Sequence, residues 1–342
     1  MAFPTVLPTP TITPLRGGPI LRWGILAPGG IATSWVKAVH AHTDQKVVAV
    51  ASRSLARAQA FATANGIERA YGDYEQLVAD PGVDVVYIAA PHSEHLRLGL
   101  MAIAAGKHVL VEKPIALNSA EARQLIDAAH AAGVFAMEAL WSRFLPQASV
   151  IAQLLERGVL GEVKSVSADF GARFTYNPEG RWFNPELGGG AMLDIGIYPV
   201  WFSHFVLGAP EKVTARGTLA PTGVDAQSAI ILEYASNAQA VVTMSMWANS
   251  AQDASIVGTD ARIEVPGHFF TPGALRLVDT SGETLSWSDD SGVDGSDGLA
   301  YQVSAVAAHI AEGRAEAPEH SHADTLAIMA VLEEARAQLG PA

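Results

Sequence analysis

The chain has 342 residues, 49% of them apolar, with a formal net charge of −13 and no cysteine. This length exceeds one ordinary core and suits two domains, and the apolar content argues against long disordered stretches. The charge argues against nucleic acid and anionic membrane surfaces as partners, since both are held by Lys and Arg against phosphate. The missing thiols exclude disulfides, thiolate nucleophiles and zinc held by sulfur.

Residues 1–20 form a proline-rich arm, "MAFPTVLPTPTITPLRGGP" and Ile20, which favours an extended conformation. It is expected as a floppy lead-in, with a strap across a partner subunit as the alternative. It lacks the charged and apolar regions of a secretory signal, and no apolar run reaches the roughly 18 residues needed to cross a bilayer, so a cytoplasmic location is expected.

From Leu21 short β-rich runs alternate with Ala-rich helical segments. "LRWGILA", "KVVAVAS", "DVVYIAA", "HVLVEK" and "FAMEAL" read as strands. Between them, "IATSWVKAVHAH", "SLARAQAFATANG", "HSEHLRLGLMAIAAG" and "SAEARQLIDAAHAAG" read as helices, the last with Ser119 as N-cap. Repeated βα units whose strands are apolar on both faces predict a doubly wound parallel sheet over residues 21–142. After a helix near 146–157 the pattern changes to alternating strands: "VKSVSADFGARF", "KVTARGTL", "SAIILEYA", "AQAVVTMSMWA" and "ASIVGTDARIEVPG". "SNAQ" and "GTDA" mark hairpin turns. Residues 143–342 are therefore expected to form an α+β domain around a large, mainly antiparallel open sheet, closed by helices near 298–313 and 321–338, the C-terminal one free to pack back on the first domain. The acidic loop "SDDSGVDGSDG" lacks the closing Glu of a calcium hand, and no metal is expected.

The first strand runs into "GILAPGGIA". A dinucleotide fingerprint needs a small residue for the tight turn, a second where backbone approaches the pyrophosphate, and a third where helix packs on strand. These fall on Ala27, Gly29 and Ala32, with Gly30 and Ile31 opening the helix whose N-terminus would face phosphate. The second strand ends at Ser52-Arg53, with Arg57 one turn later, where an NAD-specific site would place a carboxylate. Guanidinium groups attract a 2′-phosphate, so NADP(H) is preferred and NAD(H) remains possible. At the carboxyl ends of the next strands lie Ala90, Pro91, His92 and His95, and then Glu112-Lys113. His95 is either a nicotinamide neighbour or a polar cap. Farther on, Gly188, Gly189 and Gly190 precede a helical stretch in which Asp194 and Tyr198 are four apart, a spacing that puts a carboxylate and a phenol on one face. That pair suits binding of a polyol and proton exchange with one oxygen; a polar first turn with a half-buried tyrosine is the plainer reading.

"EKP" after a strand, "GILAPGGIA" and "GGGAMLDIGIY" together resemble the glucose-fructose oxidoreductase/inositol dehydrogenase (Gfo/Idh/MocA) family, over essentially all of the chain from Leu21. "MEALWSRFLP" and "YNPEGRWFNPELGGG" are similar to the branch holding dimeric dihydrodiol dehydrogenase and NADP-dependent D-xylose dehydrogenase. The resemblance implies hydride transfer between nicotinamide and a secondary or anomeric hydroxyl of a sugar, polyol or vicinal diol. It implies Lys113 beside nicotinamide and substrate oxygen, Tyr198 as acid/base, and Asp194 orienting substrate. Trp141, Arg143, Phe174 and Arg181 would line the substrate pocket, and Trp182 would reach the cofactor. Two departures are Ala27 in the first glycine position and His92 where the family often has Asn. A phenol titrates near 10, so a base at neutral pH needs about 2.7 kcal/mol of help for a shift of roughly two units. An ammonium at about 4 Å, at an effective dielectric near 20, could supply about 4 kcal/mol before desolvation. Two rivals share the fingerprint: a glycosidase using NAD for transient oxidation, and a non-enzymatic NADP(H)-sensing regulator. The open sheet face also predicts a homodimer.

Overall fold

The computed structural model describes residues 3–340. Two compact units emerge. One is Ile12–Phe144 with Gly295–Leu326; the other is Leu145–Asp294 with the described residues up to Thr11 and from Ala327.

The first unit is built on six parallel strands, β1 (Arg22–Leu26), β2 (Lys46–Ala51), β3 (Arg69–Tyr71), β4 (Val85–Ile88), β5 (His108–Glu112) and β6 (Ala136–Ala139). Their order is β3-β2-β1-β4-β5-β6. The crossovers carry α1 (Gly30–His42), α2 (Leu55–Asn65), α3 (Tyr74–Val78), α4 (His95–Ala104) and α5 (Ser119–Ala132). Every residue of β4 and of β6 is buried, as strands covered on both faces must be. Strand order reverses between β1 and β4, which opens a crevice at their carboxyl ends, the ligand position of such sheets. Two elements escape the sequence pattern: β3 and α3 are only three and five residues long, too short to show a period. The cap of α5 is Asn118, whose side chain accepts from the Glu121 amide; Ser119 is the first helical residue instead.

Residues 295–326 were expected in the second domain, yet they belong to this unit. The helix α8 (Leu299–Ala311) is buried on almost every side, so no polar face is left to point at solvent. The chain then covers the open edge of β6, where the Ala136 amide donates to Ala315 O (3.1 Å) and Ala136 O accepts from His322 Nε2 (2.9 Å). An unpaired sheet edge is thereby closed.

The second unit contains an eight-stranded sheet of β7 (Val163–Gly171), β8 (Lys212–Leu219), β9 (Asp225–Glu233), β10 (Gln239–Ser245), β11 (Ala254–Gly258), β12 (Ala261–Val265), β13 (Ala274–Asp279) and β14 (Thr284–Ser288). Its order is β14-β13-β12-β11-β7-β10-β9-β8, and only β7 and β10 pair in parallel. Strict alternation sets the two faces: Ala240, Val242 and Met244 of β10 are buried, while Gln239, Val241 and Thr243 are exposed. The inner face packs against α7 (Ile197–Leu207). Within Pro185–Leu207 lies a window apolar enough by composition to cross a bilayer, but 78% of it is buried inside the fold as a core helix is.

Among the described residues of the N-terminal arm, Thr9 and Thr11 are held rather than floppy. The Thr11 amide donates to Ser149 Oγ (2.7 Å) and Gln153 Nε2 donates to Thr9 O (2.9 Å), both partners lying on α6 (Pro146–Glu156). The last element, α9 (His322–Ala337), passes from the first unit into the second at residues 326–327.

Candidate active site

The turn between β1 and α1 has the form a pyrophosphate requires. Ala27 adopts a left-handed φ of 59°, with its amide on Ala51 O (3.0 Å), so the tight turn forms without glycine. A Cβ added at Gly29 or Gly30 would meet nothing within 4 Å, which leaves the backbone open to a ligand. Ala32, by contrast, is fully buried, as the helix–strand contact demands. No acidic residue occupies the first turn of α1, so its N-terminal dipole is uncompensated, and Ile31 is exposed beside it. At the end of β2, Ser52 is buried, while Arg53 and Arg57 are exposed with no ion pair among the described residues. These residues fit a dinucleotide.

The ends of β4 and β5 place the polar groups that the sequence singled out. Glu112 is buried; it accepts from the Tyr87 hydroxyl through Oε1 (2.5 Å) and from the Lys113 amide through Oε2 (3.2 Å). Tyr87 is itself stacked on Trp35, with ring centroids 4.4 Å apart. Glu112 therefore anchors the strand end, and Lys113, partly exposed, follows it into a cis bond with Pro114. Ala90 and Pro91 lead to a short 3-10 turn at His92–Glu94, and His92 is buried with its ring 5.6 Å from that of His95. His95, left open between cofactor neighbour and cap, has no exposed surface. Its Nδ1 lies 2.8 Å from Pro114 O and its Nε2 2.9 Å from Ala90 O. It lies between the β4 loop and the Lys113 turn, and the neutral ring can donate to one of these two carbonyls at a time. Burial pushes its pKa down, opposed by those two carbonyls.

Trp141 and Arg143 occupy a 3-10 turn just after β6. Trp141 is buried, and burial also lowers the pKa of Arg143, against the charges of Glu319 and Asp324.

In the second unit, two of the three glycines hold backbone in the positive-φ region. Gly188 ends a 3-10 turn in the left-handed region (φ 74°). The Gly190 φ is 126°, and a Cβ there would meet Asp225 Oδ1 at 2.4 Å. The other oxygen, Oδ2, accepts from the Met192 amide (2.6 Å), so Asp225 caps the start of the helix. That helix opens with a π turn over Met192–Gly196 before α7 begins. Such turns add a residue and re-aim side chains, and they recur at functional sites. Asp194 lies in the π turn, buried, with Oδ1 accepting from Arg181 Nη2 (2.8 Å). Tyr198 is buried between Phe170 and Phe270, at ring distances of 5.7 and 5.0 Å. Phe174 stacks on Trp182 at 4.3 Å, the Arg181 guanidinium lies 5.5 Å from the Trp182 ring, and the indole N–H has no partner among the described residues. Arg181, Trp182, Phe174 and Asp194 thus form one connected group.

Several residues here were not anticipated. Asp225, Phe170 and Phe270 come from strands or loops distant in sequence, and nothing local distinguishes them from ordinary sheet residues. Glu138 did carry a signal: it is a lone carboxylate in the buried run "FAMEAL". Its Oε1 accepts from the Ile115 amide (2.9 Å) and its Oε2 from His320 Nε2 (2.9 Å). Among the described residues no cluster of His, Asp and Glu could hold a metal ion.

A doubly wound parallel sheet with an open turn after its first strand is the form of a dinucleotide-binding oxidoreductase domain. Residues 21–140 match the model of the oxidoreductase family with an NAD-binding Rossmann fold, and residues 149–264 match the GFO/IDH/MocA C-terminal domain. The chain belongs to the Gfo/Idh/MocA family. It is 40% identical over 326 residues to trans-1,2-dihydrobenzene-1,2-diol dehydrogenase of Danio rerio, covering 94% of this chain and 97% of the relative. Among solved structures it resembles KijD10, a 3-ketoreductase from Actinomadura kijaniata in complex with NADP and TDP-benzene (26% identity, TM-score 0.81, 93% of this chain and 98% of the other). It also shares its fold with levoglucosan dehydrogenase complexed with NADH and levoglucosan (21% identity, TM-score 0.84, 93% and 98% covered).

Proposed function

We propose that the enzyme oxidises a vicinal diol, polyol or sugar at a secondary or anomeric hydroxyl with NADP+, and reduces the corresponding carbonyl in the opposite direction. The observation that carries this reading is the second-unit group: Asp194 held by Arg181 on a π turn, followed by Tyr198 walled by Phe170 and Phe270. A buried carboxylate can accept from one hydroxyl of a diol, while a phenol exchanges the proton of its neighbour. The aromatic walls favour a diol carried on an apolar ring, and the 40% identity to a dihydrobenzenediol dehydrogenase points the same way.

When bound, the nicotinamide supplies the hydride acceptor. Tyr198 takes the hydroxyl proton as the C–H bond breaks, Asp194 orients the diol, and Lys113 stabilises negative charge on the reacting oxygen. In reduction Tyr198 returns the proton to the carbonyl oxygen. Trp141, Arg143, Phe174 and Arg181 are proposed to line the substrate pocket, and Trp182 to reach the cofactor. Ala27, Gly29, Gly30, Ile31, Ala32, Ser52, Ala90, Pro91 and His92 are proposed to hold the dinucleotide, with Arg53 and Arg57 on the 2′-phosphate. A homodimer and a cytoplasmic setting, where NADP(H) is supplied, complete the proposal.

The test is a screen of trans-1,2-dihydrobenzene-1,2-diol, aldoses and inositols with NADP+ and NAD+, read as NAD(P)H absorbance. Net accumulation of NADPH with a diol or sugar is expected; turnover without net reduction would favour a glycosidase. In the active pair, Lys113→Met and Tyr198→Phe should each lower kcat about 10²-fold or more, the scale of general acid–base catalysis. Near-normal turnover in either folded variant would refute its assignment.

A further inference from the structure

We propose that His320 and Thr325 are positioning residues for Lys113, acting through the buried carboxylate of Glu138 on the backbone of the turn that carries the lysine. The proposal rests on the reading of Lys113 as a catalytic residue. The turn after β5 is held in part by side chains. Pro114 has no N–H, and side chains hold the neighbouring groups: the Lys113 amide is on Glu112 Oε2 (3.2 Å), Pro114 O is within 2.8 Å of His95 Nδ1, and the Ile115 amide is on Glu138 Oε1 (2.9 Å).

Of the three, Glu138 is reached by the distant C-terminal segment. Its side chain has no exposed surface, and Oε2 accepts from His320 Nε2 (2.9 Å) and from Thr325 Oγ1 (3.3 Å). Thr325 Oγ1 and His320 Nε2 are themselves 3.1 Å apart, so the three groups close a triangle. The His320 side chain is 2% exposed. One carboxylate oxygen therefore faces the lysine turn, and the other is clamped by His320, just before α9, and by Thr325 in the first turn of α9. If the clamp is removed, the carboxyl group is free to rotate and water cannot readily replace the lost donor. The Ile115 amide then loses a fixed acceptor, and the backbone two residues after Lys113 loosens. A displacement near 1 Å at a reacting group can cost on the order of 10²-fold in rate. This gives a reason for a carboxylate inside a fully buried strand.

The decisive measurement needs no cofactor: backbone hydrogen exchange over residues 112–118 in the full-length protein, followed by mass spectrometry. His320→Leu should speed exchange there about 10-fold and Thr325→Val roughly 3-fold, with the amides of β1 and β4 unchanged. His320→Gln, which keeps a donor near the Nε2 position, should recover most of the protection. With NADP+ and trans-1,2-dihydrobenzene-1,2-diol, or the best substrate of the screen above, His320→Leu should lower kcat about 10-fold while KM and cofactor Kd stay within about twofold. In a Lys113→Met background the same substitution should add almost no further loss, because its effect runs through that lysine. Unchanged exchange over 112–118, or a kcat loss that multiplies fully onto that of Lys113→Met, would overturn the proposal. If His320→Leu does not fold, Thr325→Val carries the same comparison. If Lys113→Met retains turnover, the catalytic reading fails on its own account, and the exchange data still decide whether His320 holds the turn.

Discussion

Ala27 sits at a φ of 59°, a region where a Cβ approaches the following carbonyl and costs roughly 1–2 kcal/mol. The turn is held all the same by the hydrogen bond that its amide donates to Ala51 O, and the backbone at Gly29 and Gly30 beyond it stays open. Ala27→Gly is expected to raise stability by up to about 1 kcal/mol in urea unfolding, the glycine's greater unfolded-state freedom offsetting part of the relief. A clear loss of stability would mean that the methyl group packs usefully. Arg53 and Arg57 make the second residue-scale prediction. Each is exposed and without an ion pair among the described residues, as a guanidinium waiting for a 2′-phosphate would be. Replacing both by Ala should raise KM for NADP+ about 10- to 100-fold, the scale of one or two charge-assisted hydrogen bonds, with KM for NAD+ nearly unchanged. Equal losses with both cofactors would assign these arginines to another role.

Among elements, the helix that begins in a π turn depends on a residue from a different strand. Asp225, at the start of β9, is buried, and its Oδ2 accepts from the Met192 amide, while Arg336 Nε lies 3.9 Å from Oδ1. Burial pushes the Asp225 pKa up, with the Met192 amide and Arg336 acting against it. The folded state thus binds this proton more tightly than the unfolded one. The contribution to stability is full below the unfolded value near 3.9, falls as pH rises from there through the raised folded pKa, and is level above it. Asp225→Asn keeps an acceptor for Met192 and should abolish that slope in urea unfolding measured across the window. An unchanged slope would show that Asp225 is not its source. Gly190→Ala tests the other side of the contact: a methyl group at 2.4 Å from Asp225 Oδ1, on a φ of 126°, should destabilise by about 3 kcal/mol or more and lower kcat by displacing Asp194.

At the scale of the whole molecule, the outer face of the eight-stranded sheet bears on assembly. Ile231, Val241 and Val257 are exposed on it, and a groove of about 540 Å³ is lined there by Ser167, Thr243 and Arg276 among others. Exposed apolar side chains on an open sheet face would suit a second copy of the same face in the proposed dimer, and a stable pair would bury roughly 1,200–2,000 Å² in total. Light scattering should report twice the monomer mass, and Val241→Asp should shift the protein toward monomer without unfolding it. A wild-type protein at monomer mass would sink the proposed dimer.

The parallel sheet, the antiparallel sheet and the two hairpins at residues 236–239 and 258–261 were legible because periods of two and 3.6 are written locally into which residues are apolar. The phosphate turn, the Arg53–Arg57 pair, Lys113 and the Asp194–Tyr198 spacing stand out as candidates for the same reason: each is a short run whose residue types are set against those of its neighbours. Other features depend on partners far apart in the chain, which no local pattern records. Asp225 meets Gly190 and Met192 across more than thirty residues of chain, and Glu138 meets His320 across 182. The placement of residues 295–326 with the dinucleotide sheet likewise follows from the need to cover the β6 edge and bury an all-round apolar helix. Local pattern determined the kinds of elements and the chemistry they carry; long-range hydrogen bonding and burial decided which side chains stand behind them, because a buried polar group must find its partner wherever the fold brings one.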